Sequence, residues 1–224
     1  MDDTLKVLYK RMNLKELREL GTFVIWVVGG PGIGKTTLCS RLARDFSLVH
    51  ISISELLHDL ISDNPVEGYD EISTMKKGQI VPAEFILFVL KQEMAKNMAQ
   101  KPKGFLLDGF PMDLAQGTRF ENEVAPVDCI LYLLADNDTL IERIFYRSKL
   151  TKGSALEDPK IVYAKLKSFR DFEKPFNEYY VTQIRDINAI GEPIAVYRKC
   201  AMIINDVIIK HYALKVLIHN NAIN

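Results

Sequence analysis

Gly29-Gly30-Pro31-Gly32-Ile33-Gly34-Lys35-Thr36 fits the spacing G-x-x-x-x-G-K-[ST]. That spacing can hold phosphate. Glycines let backbone N–H groups curl around an anion where a Cβ would obstruct. A helix starting at the end of the loop adds donors and a partial positive charge. Lys35 sets a full charge against the outer phosphates, and the hydroxyl of Thr36 or Thr37 can reach a metal ion. Candidate phosphate contacts are Gly30, Pro31, Gly32, Ile33, Gly34, Lys35, Thr36 and Thr37. A glycine turn before an ordinary helix is the bland alternative, and the flanking residues argue against it.

Those flanks are an apolar run at 23–28, read as a buried strand, and an amphipathic helix at 37–45. Further strand-like runs occupy 48–51, 104–107, 128–133 and 193–197. Helical patterns fill 54–62, 82–100, 139–148, 159–186 and 199–217. Strands apolar on both faces suit a covered parallel sheet. The alternation predicts an α/β three-layer sandwich, one domain over 1–224, with five parallel strands and helices on both faces. Ligands bind such sheets beyond the carboxyl ends of the strands. The glycine loop and the segments after Ile51 and Leu107 should meet there.

Composition narrows the classes. Lys+Arg and Asp+Glu are each 29, so the formal charge is zero and nothing marks a nucleic-acid or membrane-surface binder. The three cysteines, Cys39, Cys129 and Cys200, lie far apart in apolar settings and read as reduced core thiols. Asp2 and Asp3 with no apolar run behind them do not form a signal peptide. Leu5, Leu8 and Met12 suggest an amphipathic helix before the first strand. The apolar stretch 201–218 is interrupted by Asn205, Asp206, Lys210, His211 and Lys215, so it reads as a helix packed on the body. A cytoplasmic monomer is expected. His50, His211 and His219 have no partner pattern and read as core or surface, and Trp26, Tyr179 and Tyr180 as packing.

Several further motifs, in order, carry a family resemblance. These are 50–58, His-Ile-Ser-Ile-Ser-Glu-Leu-Leu-His; 75–82, Met-Lys-Lys-Gly-Gln-Ile-Val-Pro; 104–111, Gly-Phe-Leu-Leu-Asp-Gly-Phe-Pro; and 141–147, Ile-Glu-Arg-Ile-Phe-Tyr-Arg. Together with the loop they make residues 23–207 resemble the adenylate kinases, in particular the short-lid cytosolic form. The resemblance implies transfer of the γ-phosphoryl group of ATP, as its Mg²⁺ complex, to a nucleoside monophosphate, with AMP the expected acceptor. It implies catalytic roles for Lys35, Arg143, Arg147 and Asp108, and a metal site of Thr36, Thr37 and Asp108. The monophosphate would lie against Ser52, His58, Val81, Gly109, Met112 and Gln116, the last at the spacing of the base-reading glutamine. Residues 52–82 would form the monophosphate-binding segment and 147–158 a short lid that excludes water.

The departures fall on charge. His58, Met112 and Lys165 stand where the family has arginines, and Gly153-Ser154-Ala155-Leu156-Glu157 replaces the lid's Gly-Arg-x-Asp-Asp. Up to four of six phosphate-binding arginines are therefore missing. Met112 cannot donate at all, and a charge-assisted hydrogen bond is worth about 1.5–3 kcal/mol. Lys165 keeps charge but loses the planar fork. Three functions stay open: a kinase of this type with weakened activity, a catalytically inactive ATP-binding or interaction protein, and a P-loop kinase for another small acceptor.

Overall fold

The computed structural model describes residues 22–63, 82–150 and 158–221. The N-terminal helix expected before the first strand, most of the segment 52–82 including Val81, and lid residues 151–157 with Ser154 lie outside them. The described elements run β1 (Phe23–Gly29), α1 (Lys35–Phe46), β2 (Val49–Ser52), α2 (Ile53–Asp63), α3 (Ala83–Met98) and β3 (Gly104–Asp108). Then follow α4 (Leu114–Glu123), β4 (Cys129–Leu134), α5 (Asn137–Leu150), α6 (Pro159–Tyr179), β5 (Ile184–Asn188) and α7 (Pro193–Asn221).

The five strands form one sheet in the order β2-β3-β1-β4-β5, and every pairing is parallel. All seven residues of β1 are buried, as central placement requires. Its side chains alternate with the pleat. Val24, Trp26 and Val28 point into one core with Phe110, Phe120 and Tyr180. Phe23, Ile25 and Val27 point into the other with Leu42, Leu131 and Ile144. Trp26 is fully buried, with the rings of Tyr180, Phe110 and Phe120 edge-on at 5.3, 5.4 and 5.6 Å.

The topology makes the crevice. From β1 the chain moves to β2 at one edge; from β3 it crosses β1 to reach β4. Right-handed crossovers in opposite directions put the intervening helices on opposite faces. Accordingly, α1 contributes Leu42 to one core and α4 contributes Phe120 to the other. The loops after β1 and β3 therefore splay apart and leave a cleft between them.

One strand assignment needs correction. Residues 193–197 are not a strand but the first turn of α7. Pro193 has no N–H to lose at a helix start, and the Glu192 carbonyl accepts from Ala195 and Val196. The fifth strand is Ile184–Asn188, whose first three residues fall in the stretch expected to be helix; α6 ends at Tyr179. Helix α4 was not anticipated, although Asp113 caps it by accepting from the Gln116 amide. Tyr180 and the three cysteines are buried as expected, but Tyr179 is exposed.

Candidate functional site

The glycine loop is shaped by two residues no other side chain could replace without strain. Gly32 has φ +80°, and a Cβ there would stand 2.5 Å from Ile144. Gly34, at φ +96°, is the cap of α1 and offers no side-chain acceptor to the first-turn amides. The first turn of α1 also holds no acidic residue. Sequence has thus left this helix terminus without an internal anion, which suits it to an external one.

Lys35 opens α1. Its Nζ donates to Gly29 O at 2.8 Å and Gly30 O at 3.1 Å, so the ammonium folds back over its own loop. Burial lowers its pKa, with Arg147 adding to that and the Asp108 carboxylate opposing it. Asp108 ends β3 and is 3% exposed. Gly109 follows at φ +73°, where an added Cβ would stand 4.0 Å from Lys35 Cε.

A cleft of about 380 Å³, within the range of small-molecule sites, gathers most of the sequence candidates. Pro31, Gly32, Gly34, Lys35, Thr36, Thr37, Asp108, Gly109, Met112 and Arg147 line it. Lys165 also lines it, with Ser168, Phe169 and Phe172 from α6. Gly30 and Ile33 are buried behind the loop instead.

Arg143 and Arg147 share a helix but not a destination. Arg147 faces the cleft. The Arg143 guanidinium donates from Nη2 to Ala189 O at 2.9 Å and Ile190 O at 3.5 Å, tying α5 to the turn after β5.

The acceptor candidates are less well gathered. Ser52 is buried, and its Oγ accepts from the Glu55 amide at 3.4 Å, starting α2 in the S-x-x-E manner. The His58 side chain is 77% exposed beside Asp59. Met112 packs partly against the aromatic core. Gln116 is fully buried, its Oε1 accepting from the Met112 amide at 2.9 Å.

His50 is the residue that sequence reasoning missed. It lies on β2, and its Nε2 is 3.4 Å from Asp108 Oδ2. Cys39 of α1 completes a group whose donor atoms lie within 4.8 Å of one another. Its thiol pKa is pushed well up by burial and by Asp108. Only the pairing of β2 with β3, which sets Ser52 against Asp108, reveals this neighbour.

For a magnesium–nucleotide complex the donor set fits. The Asp108 carboxylate and the exposed hydroxyls of Thr36 and Thr37 are hard oxygen donors lining one wall.

Comparison with known proteins agrees with this geometry. Residues 27–185 match the family model described as "Adenylate kinase". The chain belongs to the adenylate kinase family. It is 33% identical to adenylate kinase isoenzyme 1 of Caenorhabditis elegans over 184 residues, 81% of this chain and 87% of that protein. It is 31% identical to the isoenzyme 1 proteins of Gallus gallus and Homo sapiens, each over 178 residues, 79% of this chain and 91% of the relative. As an adenylate kinase family member it is a phosphotransferase of the nucleoside monophosphate kinase type. The matched span reaches from β1 into β5. Among the described residues no helix is long and apolar enough to cross a membrane.

Proposed function

We propose that the chain transfers the γ-phosphoryl group of ATP to AMP, with a weakly held acceptor. The carrying observation is the single cleft that Lys35, Asp108, Arg147 and Lys165 share with the glycine loop. Phosphoryl transfer asks for alignment and charge neutralisation more than covalent chemistry. The loop amides and Lys35 would cradle the outer phosphates of ATP. Arg147 and Lys165 would neutralise charge between donor and acceptor. Thr36 or Thr37 would hold Mg²⁺ directly and Asp108 through water; the ion would supply charge neutralisation to the phosphates. Arg143 would act through the turn it ties down. Gly109, Met112, Gln116, Ser52, His58 and Val81 would bound the acceptor pocket, with 52–82 its segment and 147–158 a lid over ATP. The working unit is read as one P-loop domain over 1–224, monomeric and cytoplasmic, with no nucleic-acid or membrane partner.

The second reading, an ATP-binding protein without turnover, rests on the acceptor side. His58 is largely exposed and Met112 is apolar. One experiment separates the two: a coupled ADP-release assay with AMP, CMP, UMP, GMP and their deoxy forms, beside direct ATP–Mg²⁺ binding. The kinase reading expects measurable ATP binding, a raised KM for AMP and a low kcat. Clear ATP binding with no transfer to any monophosphate would replace it with the second reading.

A further inference from the structure

Behind the Asp108 carboxylate lies a donor set unlike the one that faces the cleft. We propose that Cys39, His50 and Asp108 form a second cation site, for a borderline-soft divalent ion of the zinc type, that competes with magnesium for Asp108.

Three elements supply one donor each: sulfur from α1, imidazole nitrogen from β2, carboxylate oxygen from β3. Sulfur and imidazole suit zinc and give magnesium little. In a tetrahedral zinc site with bonds of about 2.0–2.3 Å, donor atoms stand roughly 3.3–3.8 Å apart. The His50 Nε2 to Asp108 Oδ2 distance is already 3.4 Å. The remaining separations are at most 4.8 Å.

The ring of His50 is held for this role. Ser40 Oγ, which donates to Thr36 O at 2.8 Å, stands 3.5 Å from His50 Nδ1 on the other edge of the ring. The Nε2 edge of the ring faces the Asp108 carboxylate, where an imidazole nitrogen and a carboxylate oxygen can share a cation. Cys39 and Asp108 are almost wholly buried and the His50 side chain is 15% exposed, so little water competes. Thiolate and carboxylate together would cancel a divalent charge, which keeps the loaded cluster compatible with Lys35 nearby. Three protein ligands leave a fourth position open.

The binding does not depend on the proposed kinase reaction; only its consequence does. Zinc on Asp108 would withdraw the carboxylate from magnesium and inhibit transfer.

The test uses the full chain without nucleotide. Zinc is titrated calorimetrically, and cobalt(II) is added to follow the sulfur-to-cobalt charge-transfer band in the near ultraviolet. One equivalent should bind and the band should appear. Cys39→Ser should remove the band, and it and His50→Gln should each weaken zinc binding by about tenfold or more. The double change Cys129→Ala/Cys200→Ala, at two thiols outside the group, should alter neither. The proposal falls if wild type binds no zinc at micromolar concentrations, if binding survives Cys39→Ser, or if the double variant loses it. Should Cys39→Ser fail to fold by circular dichroism, the double variant decides. Its only thiol is then Cys39, so a cobalt–sulfur band supports the site and its absence overturns it. None of these readouts uses phosphoryl transfer, so a negative result leaves the kinase reading standing.

Discussion

The residues proposed to hold the donor and those proposed to hold the acceptor are built differently. Donor groups hang on buried strands: Lys35 follows the seven buried residues of β1 and its loop, and Asp108 closes the fully buried β3. Each is fixed by a neighbour, Lys35 by loop carbonyls and Asp108 by His50. Of the residues proposed for the acceptor, His58 sits exposed on α2, outside the cleft lining, and Met112 lines the cleft with an apolar chain packed partly against the core. The contrast teaches that phosphate binding and phosphate transfer can diverge within one fold. A loop shaped to grip one phosphate would survive on sheet packing, while alignment of a second would need charges that packing does not supply.

The largest expected effect breaks the donor half. Lys35→Ala removes the loop's only full charge, and transfer should fall by about a thousandfold with ATP binding weakened and the fold retained. Wild-type ATP affinity in that variant, measured calorimetrically, would undo the donor assignment. Next, Asp108→Asn keeps shape and removes charge. If Asp108 acts through a water on magnesium, activity should drop about 10- to 100-fold and recover partly at high magnesium. A drop that magnesium does not relieve would limit Asp108 to supporting Lys35.

The acceptor half is sharpened by addition. Met112→Arg restores a donor at the cleft wall and should lower the KM for AMP by about tenfold, from one charge-assisted hydrogen bond. Adding His58→Arg should lower it further. Flat kinetics in the double variant would mean that another feature disables acceptor binding.

The smallest effect concerns stability outside both halves. Burial raises the Cys129 and Cys200 thiols to about 11 and about 12. A raised pKa means that the folded state keeps protons which the unfolded chain releases. The stabilisation is complete below the unfolded thiol value of about 8.5 and is lost as pH climbs through the folded values. Urea midpoints should therefore decline from pH 8.5 upward, and less steeply in Cys129→Ala/Cys200→Ala. An equally steep decline in that variant would assign the alkaline loss to other groups.

Legibility in the sequence followed burial. β1 to β4 were readable because strands covered on both faces show as apolar runs. β5 was not, because it shows no apolar run: in Ile-Arg-Asp-Ile-Asn only Ile187 is buried. The apolar run 193–197 imitated the missing strand, and its leading proline was the contrary sign. α4 hid behind Gly117 and Thr118, weak helix formers, although Asp113 marked its start. In the site, residues adjacent in sequence to the loop were found at once. His50 was not, since its partner lies 58 positions away and meets it only through strand pairing. The different aims of Arg143 and Arg147 were equally invisible, because helical spacing places two side chains on a face without fixing where each flexible arm ends.

The chain contains one tryptophan, and it is Trp26. Its indole lies fully buried in β1, the strand that delivers the phosphate-binding loop, and three aromatic rings enclose it. Light absorbed at the red edge of the protein band is therefore absorbed at one known place. A solvent-free indole emits at short wavelength, and loss of the core that surrounds it moves the emission to the red. Unlabelled protein thus signals its own unfolding from the centre of the sheet, a few residues from where nucleotide phosphate would settle, and the same emission band can be watched while ligand is added.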